Sequence, residues 1–236
     1  MKIYGNILKV KKKNIQTNMK LYTFYTDSHS VLLNDWFLPS FHQNNKNIEL
    51  IVTKFDQKCK SGVYLSEGWL STMHDKLDLI ITGIQDNWND YFIHADCDIQ
   101  FFGDIKQNLL DQVEGYDLAG INEDPLNEGS EICCGFFICK GNEKTLSLFK
   151  EVKKIINGNF HDQHAFNYIR NNYISSKKLN YKYYNVCHSN GPKLWTPGML
   201  LDSFKPDILV HHANWIEGVT NKIENLKLVK SLVNGN

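Results

Sequence analysis

The stretch Tyr91-Phe-Ile-His-Ala-Asp-Cys-Asp98 decides the fold class of this chain. Its first five residues are mostly apolar, which predicts a buried strand that runs directly into Asp96. Asp96 and Asp98 stand at i and i+2 and therefore project to the same side of an extended backbone. Their oxygens suit Mg²⁺ or Mn²⁺, and burying two carboxylates without a cation is unfavourable. The alternative is a pair of loop aspartates that cap a helix near Ile105.

Upstream of this stretch, the apolar pattern alternates between strand and helix. It predicts four elements in order: a strand at 20–26, a helix at 31–41, a strand at 48–53 and a helix at 69–84. With the strand at 91–95, this order predicts a parallel sheet with right-handed crossovers. Ligands of such sheets bind beyond the carboxyl ends of the strands. We therefore expect Thr26 and the two aspartates to face one crevice.

Downstream, the pattern is more mixed. It predicts a buried strand at 132–139, a helix capped by Asn142 that runs to 156, a shorter helix at 163–169, a strand at 208–211 and a closing helix at 223–229. The fold class is therefore α/β, with a mixed, mostly parallel central sheet flanked by helices.

The totals describe one ordinary globular domain. The 236 residues are 42% hydrophobic and 22% charged, enough to bury a sizeable core. A formal net charge of zero gives no indication of a nucleic-acid partner, and the basic stretch Lys9–Lys13 is typical of a solvated tail. We therefore divide the chain into a lead-in or edge strand at 1–19 and one domain at 20–236.

Cysteine usage and hydropathy bear on the compartment. The six cysteines show no Cys-x-x-Cys spacing, which favours reduced thiols in a reducing compartment. The N-terminus lacks the apolar segment of a signal peptide, and no stretch approaches the ~18 consecutive apolar residues of a membrane span. The sequence predicts a cytoplasmic protein with no integral membrane segment, although a chain trimmed of an anchor would show the same pattern.

The segment Val210-His-His-Ala-Asn-Trp215 is a second candidate for chemistry. Adjacent histidines on a strand are more often one core and one surface residue. The alternative is an imidazole ligand beside the two carboxylates, and a mixed oxygen and nitrogen set favours Mn²⁺ over Mg²⁺. Lys222, seven residues after this segment, offers an ammonium group for a phosphate.

Together these segments resemble the GT-A nucleotide-sugar transferases, and among them the nucleotide-diphospho-sugar transferases. The resemblance runs from about Lys20 to Lys222. It rests on Phe92-Ile-His-Ala-Asp-Cys-Asp98, Cys134-Gly-Phe-Phe137, Asp162-Gln163, His212-Ala-Asn-Trp-Ile-Glu-Gly218 and Lys222. It implies a single GT-A, Rossmann-like domain, with a nucleotide-binding half at about 20–104 and an acceptor or sugar half at about 105–236.

The resemblance also implies roles for the charged residues. Asp98 would bind the metal directly, and Asp96 would bridge the metal and the donor ribose. His212 would be the third protein ligand. Lys222 would contact the diphosphate. Lys76 resembles the basic residue that such enzymes direct at the nucleotide, although a solvated helix face explains it equally well.

Further residues are implicated in the binding of nucleotide and sugar. Thr23, Tyr25 and Thr26, at the end of the first strand, would lie against the base and ribose. Gly135 matches the glycine that allows a sugar to approach the backbone closely. The preceding residue is often Ser in the family but is Cys134 here, which leaves a hydroxyl contact at that position in doubt.

Acidic and aromatic residues are candidates near the reacting groups. Asp162 and Gln163 resemble the pair that meets the donor sugar or the reaction centre, while Asp162 is also a good helix N-cap. Asp124 and Glu128 are candidates for an acceptor contact or a general base, although loop acids are usually only solvated. Trp195 would stack on a sugar face or anchor its Pro-rich loop by packing.

The implied activity is metal-dependent transfer of a hexose from a nucleotide-diphosphate sugar to a hydroxyl of a glycan, protein or small molecule. A UDP-sugar is favoured, a GDP-sugar is the other candidate, and the resemblance leans toward retention of stereochemistry. Two alternatives stay open. One is a metal-dependent nucleotidyltransferase or pyrophosphatase, and the other is a non-catalytic module that binds nucleotide sugars.

Overall fold

The structure is a computed structural model that describes residues 18–60, 63–125, 127 and 129–235. Most of the predicted lead-in at 1–19 lies outside these residues, as does Glu128. The described chain begins just before the first strand, which starts at Met19. The description below concerns these residues only.

Strands and helices alternate through the first half of the chain and mix in the second half. The strands are β1 Met19–Tyr25, β2 Ile48–Lys54, β3 Tyr91–Ala95, β4 Ile99–Phe101, β5 Leu118–Asn122, β6 Ile132–Lys140, β7 Ser176–Lys178, β8 Tyr183–Asn185 and β9 Val210–His212. The helices are α1 Ser30–Leu32, α2 Leu38–Asn44, α3 Trp69–Asp86, α4 Lys106–Val113, α5 Glu143–Ile155, α6 Asp162–Ile169, α7 Cys187–Asn190 and α8 Val219–Asn234.

The central sheet has six strands in the order β2-β1-β3-β6-β5-β7. β1 runs parallel to both β2 and β3, as the strand–helix alternation predicts. β6 is antiparallel to β3 and β5, while β7 is parallel to β5. A smaller sheet, β4-β9-β8, lies beside it. The predicted α/β class with a mixed, mostly parallel sheet is confirmed.

Helices cover both faces of the central sheet because successive side chains of each strand point to opposite faces. On β1, Leu21 belongs to the core shared with the helical segment around Phe37 and with β4. The next residue, Tyr22, belongs to the core shared with α3, α5 and α6. Asn142 caps α5 in a reciprocal capping box with Thr145, which confirms the predicted helix start.

The predicted helix at 31–41 is interrupted. A 3₁₀ turn at Asp27–His29 leads into α1, a π turn at Leu33–Phe37 follows, and α2 completes the segment. Pro39 lies in the first turn of α2 and has no N–H with which to continue a regular ladder through the preceding turn. The periodicity indicates the apolar face correctly but does not reveal the change of helix type.

Several elements were not predicted: β5, the short helix α7 and the three-residue strands β4, β7 and β8. Three residues are too few to show an alternating pattern. β5 has the sequence Leu-Ala-Gly-Ile-Asn, in which Ala, Gly and Asn disfavour strands. The last strand is β9 at Val210–His212 rather than 208–211.

Two compositional expectations were tested by the structure. All six cysteines are buried, and those at positions 97, 133, 134, 139 and 187 are free thiols, which agrees with the expectation of reduced cysteines. Within the described part of the chain, none of the helices combines the length and the apolar character needed to cross a bilayer.

Candidate active site

Asp96 and Asp98 lie between two buried strands, at the carboxyl end of β3 and just before β4. Asp98 is 8% exposed, and Asp96 is half-buried. The alternative of helix capping near Ile105 is wrong, because both carboxylates bind basic side chains instead and Asp104 accepts the hydrogen bond from the first N–H of α4. The turn between the two strands therefore presents two carboxylates to the crevice.

His212 reaches this turn through the smaller sheet. β9 pairs with β4 in antiparallel register, with Ile99 opposite His212. His212 Nε2 lies 3.2 Å from Asp98 Oδ1, and one ligand atom each from Asp96, Asp98 and His212 lie within 4.8 Å of one another. The alternative in which one of the two histidines is a surface residue is wrong: His211 is also buried, with Nε2 2.7 Å from Asn225 Oδ1 on α8.

Lys222, in the first turn of α8, is the second partner of Asp98. Its Nζ donates to Asp98 Oδ2 at 2.5 Å and to the Ala213 carbonyl at 2.6 Å. Burial raises the pKa of Asp98, but the opposing effect of Lys222 and His212 is larger and holds it well below its usual range. Asp98 is therefore ionised, as a metal ligand must be.

Lys76 joins Asp96 to Asp162. It lies on α3, is 4% exposed, and its Nζ is 3.1 Å from Asp96 Oδ2 and 3.3 Å from Asp162 Oδ2. The alternative of a solvated helix face is therefore wrong. Burial lowers the pKa of Lys76, but the two carboxylates more than compensate and raise it. Asp162 is the first residue of α6 rather than its N-cap, which is His161, so the capping alternative is also wrong.

His94 contacts Asp96 and was not singled out in the sequence. It is fully buried on β3, between the rings of Phe24 and Phe137, and its Nε2 lies 3.3 Å from Asp96 Oδ1. Burial lowers its pKa, so the neutral ring donates from Nε2. A histidine two residues before Asp96 points to the same face, which is the signal that could have identified it.

Gly135 lies in close contact with both Asp96 and His212. The Asp96 N–H donates to the Gly135 carbonyl at 2.7 Å, because β6 runs antiparallel to β3. A Cβ at position 135 would lie 2.2 Å from His212 Cε1 and 2.8 Å from Asp96 Oδ2. These two side chains therefore require glycine at this position, and the approach of a sugar to the Gly135 backbone stays a prediction.

The other ring nitrogen of His212 faces a thiol. Its Nδ1 lies 3.5 Å from Cys133 Sγ, a sulfur that also accepts from the Gly135 N–H at 3.4 Å. Metal-binding histidines usually donate from the second nitrogen to a carboxylate, carbonyl or water. Here the buried Cys133 takes that position and fixes the orientation of the ring.

Glu123 is a buried carboxylate that was not predicted from the sequence, where the neighbouring Asp124 was the candidate. It is 7% exposed and accepts from Asn214 Nδ2 at 3.1 and 3.2 Å, and also from Trp215 Nε1. Burial raises its pKa, against the opposing effect of the Trp215 hydrogen bond and of His212. Trp215 has a φ of 55°, in the left-handed region that non-glycine residues rarely adopt. Glu123 thus holds the segment after His212.

The nucleotide-binding candidates lie at the end of β1. Thr23 and Thr26 are buried and Tyr25 is partly exposed, and a contact of these residues with a nucleotide stays a prediction. Nearby His29, which was not predicted, lies within electrostatic reach of the aspartates. Burial lowers its pKa, and the charges of Asp98 and Asp96 act to raise it. His29 belongs to the 3₁₀ turn that follows β1, so this turn lies close enough to the aspartates for their charges to act on the ring. A crevice shared by Thr26 and the two aspartates stays a prediction.

The remaining candidates are placed as follows. Both polar atoms of the Gln163 side-chain amide are hydrogen-bonded. Its Oε1 accepts from the Cys134 N–H at 3.3 Å, and its Nε2 donates to Glu131 Oε2 at 3.0 Å. Asp124 is buried and lies within electrostatic reach of His188, and its role near the acceptor stays a prediction. Trp195 is 3% exposed and its Nε1 donates to the Met199 carbonyl, so it anchors its loop by packing.

The donor set fits a divalent cation. Carboxylate oxygens with one imidazole nitrogen suit Mn²⁺ or Mg²⁺, and the close approach of Gly135 leaves the facing atoms of Asp96 and His212 uncovered. Three carboxylates (Asp96, Asp98 and Asp162) stand against two ammonium groups in the cluster. The excess negative charge is what a bound cation would neutralise.

The family model of the nucleotide-diphospho-sugar transferases matches residues 40–226. The chain belongs to this family. The matched segment includes α3, both aspartates, Gly135, Asp162 and the segment from His212 to Lys222. No curated protein matches the sequence significantly.

Solved structures of glycosyltransferases share the fold of this transferase-family chain. The apo structure of WbbM, a bifunctional glycosyltransferase, has a TM-score of 0.55 at 11% identity, covering 88% of this chain and 49% of WbbM. Apo GlyE from Streptococcus pneumoniae TIGR4 has a TM-score of 0.57 at 12% identity, covering 93% and 63%. A glycosyltransferase involved in glycosylation of the major capsid of PBCV-1 has a TM-score of 0.57 at 11% identity, covering 90% and 98%.

These likenesses identify the architecture as GT-A. The chain spans about half of WbbM and under two thirds of GlyE, but nearly all of the third protein. The fold and family therefore agree with the resemblance seen in the sequence.

Proposed function

We propose that the protein transfers a hexosyl group from a nucleoside diphosphate sugar to an acceptor hydroxyl, with a UDP-sugar favoured over a GDP-sugar. The observation that carries this proposal is the convergence of Asp96 and Asp98 with His212 and Lys222, from segments more than a hundred residues apart. A family chain that lacked transfer activity would be under no constraint to keep both halves of this cluster together.

In this proposal Asp96, Asp98 and His212 hold a divalent metal ion, with Mn²⁺ favoured. When bound, the ion would neutralise charge that develops on the departing diphosphate. Lys222 adds an ammonium group on the same side, and this charge stabilises the leaving group directly. Lys76 keeps Asp96 and Asp162 ionised and fixed in position.

The bond changes follow from this arrangement. The acceptor oxygen forms a bond to the anomeric carbon, and the bond from that carbon to the diphosphate oxygen breaks with its electron pair on the diphosphate. In a retaining reaction, which we favour, the hydroxyl proton passes to the departing diphosphate on the same face. Asp162 and Gln163 are proposed to position the sugar during this step, since α6 begins beside the aspartates.

A reducing, cytoplasmic location is part of the same proposal. It is supported by the five buried free thiols at positions 97, 133, 134, 139 and 187, since proteins of reducing compartments keep their cysteines reduced.

The test compares the wild-type protein with Asp98→Ala and with the control Asp111→Ala, an exposed aspartate on α4. Thermal unfolding is measured with UDP-glucose and GDP-mannose, with and without MnCl₂, followed by product analysis with mixed acceptors. We expect Mn²⁺ with one donor to raise Tm in wild type and Asp111→Ala but not in Asp98→Ala.

Three results would count against the proposal. Full transfer in excess chelator would exclude the metal role. Release of nucleoside monophosphate or pyrophosphate would identify a pyrophosphatase or nucleotidyltransferase. Tight donor binding without transfer or hydrolysis across a broad acceptor set would identify a non-catalytic module.

A further inference from the structure

Three aromatic rings cluster beside Asp162, on the side of the acidic cluster away from Lys222. Tyr64 and Trp69 pack edge to face with centroids 5.0 Å apart, and His161 lies 5.6 Å from Tyr64 and 6.0 Å from Trp69, with all three rings nearly perpendicular. Tyr64 is 53% exposed. We call Tyr64, Trp69 and His161 the aromatic cluster. Nothing in the proposed donor chemistry uses these rings.

The aromatic cluster adjoins the residues proposed to meet the donor sugar. His161 Nδ1 lies 3.7 Å from Asp162 Oδ1. Burial raises the pKa of Tyr64, and the charges of Asp162 and Glu131 add to this effect, so both carboxylates lie within electrostatic reach of the ring. Glu131 in turn binds Gln163. A group held by the aromatic cluster is therefore next to the reaction centre.

The crevice is divided by charge. Lys222 lies at the end that suits phosphate, on the Asp98 side. At the other end, Asp162 and Glu131 stand beside the rings, and Lys76, the ammonium between the two ends, is occupied by Asp96 and Asp162. His164 also lies at this end, with Nε2 3.9 Å from Glu131 Oε1 and its ring 3.8 Å from that of His161. The two carboxylates offer hydrogen-bond acceptors, which favours a ligand that carries hydroxyl groups.

The shape and chemistry at this end suit a saccharide. The negative faces of aromatic rings attract the polarised C–H groups on the face of a sugar. Carboxylates such as Glu131, which is partly exposed, accept hydrogen bonds from hydroxyl groups. A surface cavity of about 210 Å³, lined by residues 65–71 with Asn157 and Gly158, lies beside Trp69 and provides room for the remainder of a short chain.

We propose that the aromatic cluster, with Glu131, is the acceptor subsite and that the acceptor is a neutral saccharide. This inference rests on the proposed function, because it takes the Asp96 end of the crevice as the donor site. It goes beyond that function by assigning the acceptor class to Tyr64, Trp69 and Glu131.

The experiment measures saccharide binding by saturation-transfer NMR on the full chain with UDP and Mg²⁺. The probes are lactose, cellobiose and maltose, with a neutral Ser/Thr-containing peptide as the competing acceptor class. The variants are Tyr64→Ala, Trp69→Ala and Glu131→Gln. The matched control is Tyr168→Ala, which removes a 78% exposed tyrosine from the far end of α6. Tyr64 is exposed, so its variant is expected to fold even if Trp69→Ala does not.

We expect at least one disaccharide to bind the wild type and Tyr168→Ala, and its affinity to fall ~10-fold in Tyr64→Ala. The thermal shift given by UDP and Mg²⁺ should be the same in Tyr64→Ala as in the wild type. Equal disaccharide binding by Tyr64→Ala and wild type would overturn the inference. It would also be overturned if UDP and Mg²⁺ still raised Tm but the protein bound only the peptide, or bound none of the probes. Loss of the nucleotide shift in the wild type would instead contradict the proposed donor site.

Discussion

At the scale of single residues, Gly135 shows how little space the cluster leaves. It lies on β6, and its missing side chain allows His212 and Asp96 to approach from either side. Neighbouring Gly120 on β5 is equally crowded, since a Cβ there would lie 2.6 Å from Ile132 Cγ2, but its neighbours are core residues. A side chain at position 120 would therefore disturb only core packing, whereas a side chain at position 135 would displace candidate metal ligands.

Replacing Gly135 by Ala should displace His212 or Asp96 and weaken Mn²⁺ binding by roughly 10- to 100-fold, the usual effect of disturbing the support of a ligand. Gly120→Ala should lower the free energy of unfolding without changing the affinity for Mn²⁺. Isothermal titration with MnCl₂ and UDP, together with urea unfolding, distinguishes them. Equal metal affinities in the two variants would show that Gly135 acts on packing alone.

His188 predicts a pH dependence of stability away from the metal cluster. Its Nε2 donates to the Asn122 carbonyl at 2.8 Å, and burial lowers its pKa below the ordinary 6.5, against the opposing charge of Asp124. The unfolded chain therefore binds a proton at a higher pH than the folded chain. The stability associated with neutral His188 is present above about pH 6.5 and is lost as pH falls through the folded pKa.

His188→Gln should accordingly show a smaller loss in the free energy of unfolding between pH 7.5 and pH 5 than the wild type. Urea unfolding at the two pH values measures this difference. An unchanged pH dependence would mean that other groups dominate the acid side.

At the scale of elements, the segment from β9 to α8 carries both His212 and Lys222. Its path depends on Trp215, whose left-handed backbone is unfavourable by about 1–3 kcal/mol for a non-glycine residue. Trp215 is held by the Glu123 carboxylate and by a 2.9 Å hydrogen bond from the Trp195 N–H to its carbonyl. The strained turn sets the direction in which α8 begins.

Glu123→Gln should disturb this segment, because an amide offers one acceptor oxygen where the carboxylate offers two to Asn214 and Trp215. We expect a loss of about 1–3 kcal/mol of stability and a decrease of ~10-fold in affinity for Mn²⁺. Urea unfolding and metal titration measure the two effects. A stability loss with unchanged metal affinity would show that Glu123 supports the fold but does not position His212.

At the scale of the whole molecule, the site joins two parts of the chain. The carboxylates come from the strand–helix half, while His212 and Lys222 come from the smaller sheet and α8. Ligands bound between them should stabilise the molecule as a unit, since binding to the native state alone raises stability by mass action.

Mn²⁺ with UDP at about 100 times the dissociation constant should therefore raise the free energy of unfolding by about 2.7 kcal/mol. His212→Ala should remove most of this gain, and wild type in chelator provides the baseline. Unfolding curves with and without ligand test the coupling. Equal stabilisation of wild type and His212→Ala would place the ligand outside this cluster.

The sequence by itself determined the alternation of the first three strands with helices and the position of Asp96 at the end of β3. It also indicated His212, Lys222, α5 with its Asn142 cap, and the α8 helix. These features are written in local patterns of apolar residues, caps and motif spacing, which do not depend on distant partners. The family resemblance follows from the same residues.

Only the tertiary structure decided which side chains meet. The pairing of β4 with β9 places Ile99 beside His212, the ion pairs of Lys76 join α3 to Asp96 and α6, and Glu123 reaches Trp215 across 92 positions. β4 and β9 are only three residues long, and the sequence around Glu123 does not distinguish it from a solvated loop acid such as Asp124 was expected to be. No local pattern encodes these contacts, because they arise from the packing of distant segments into one core.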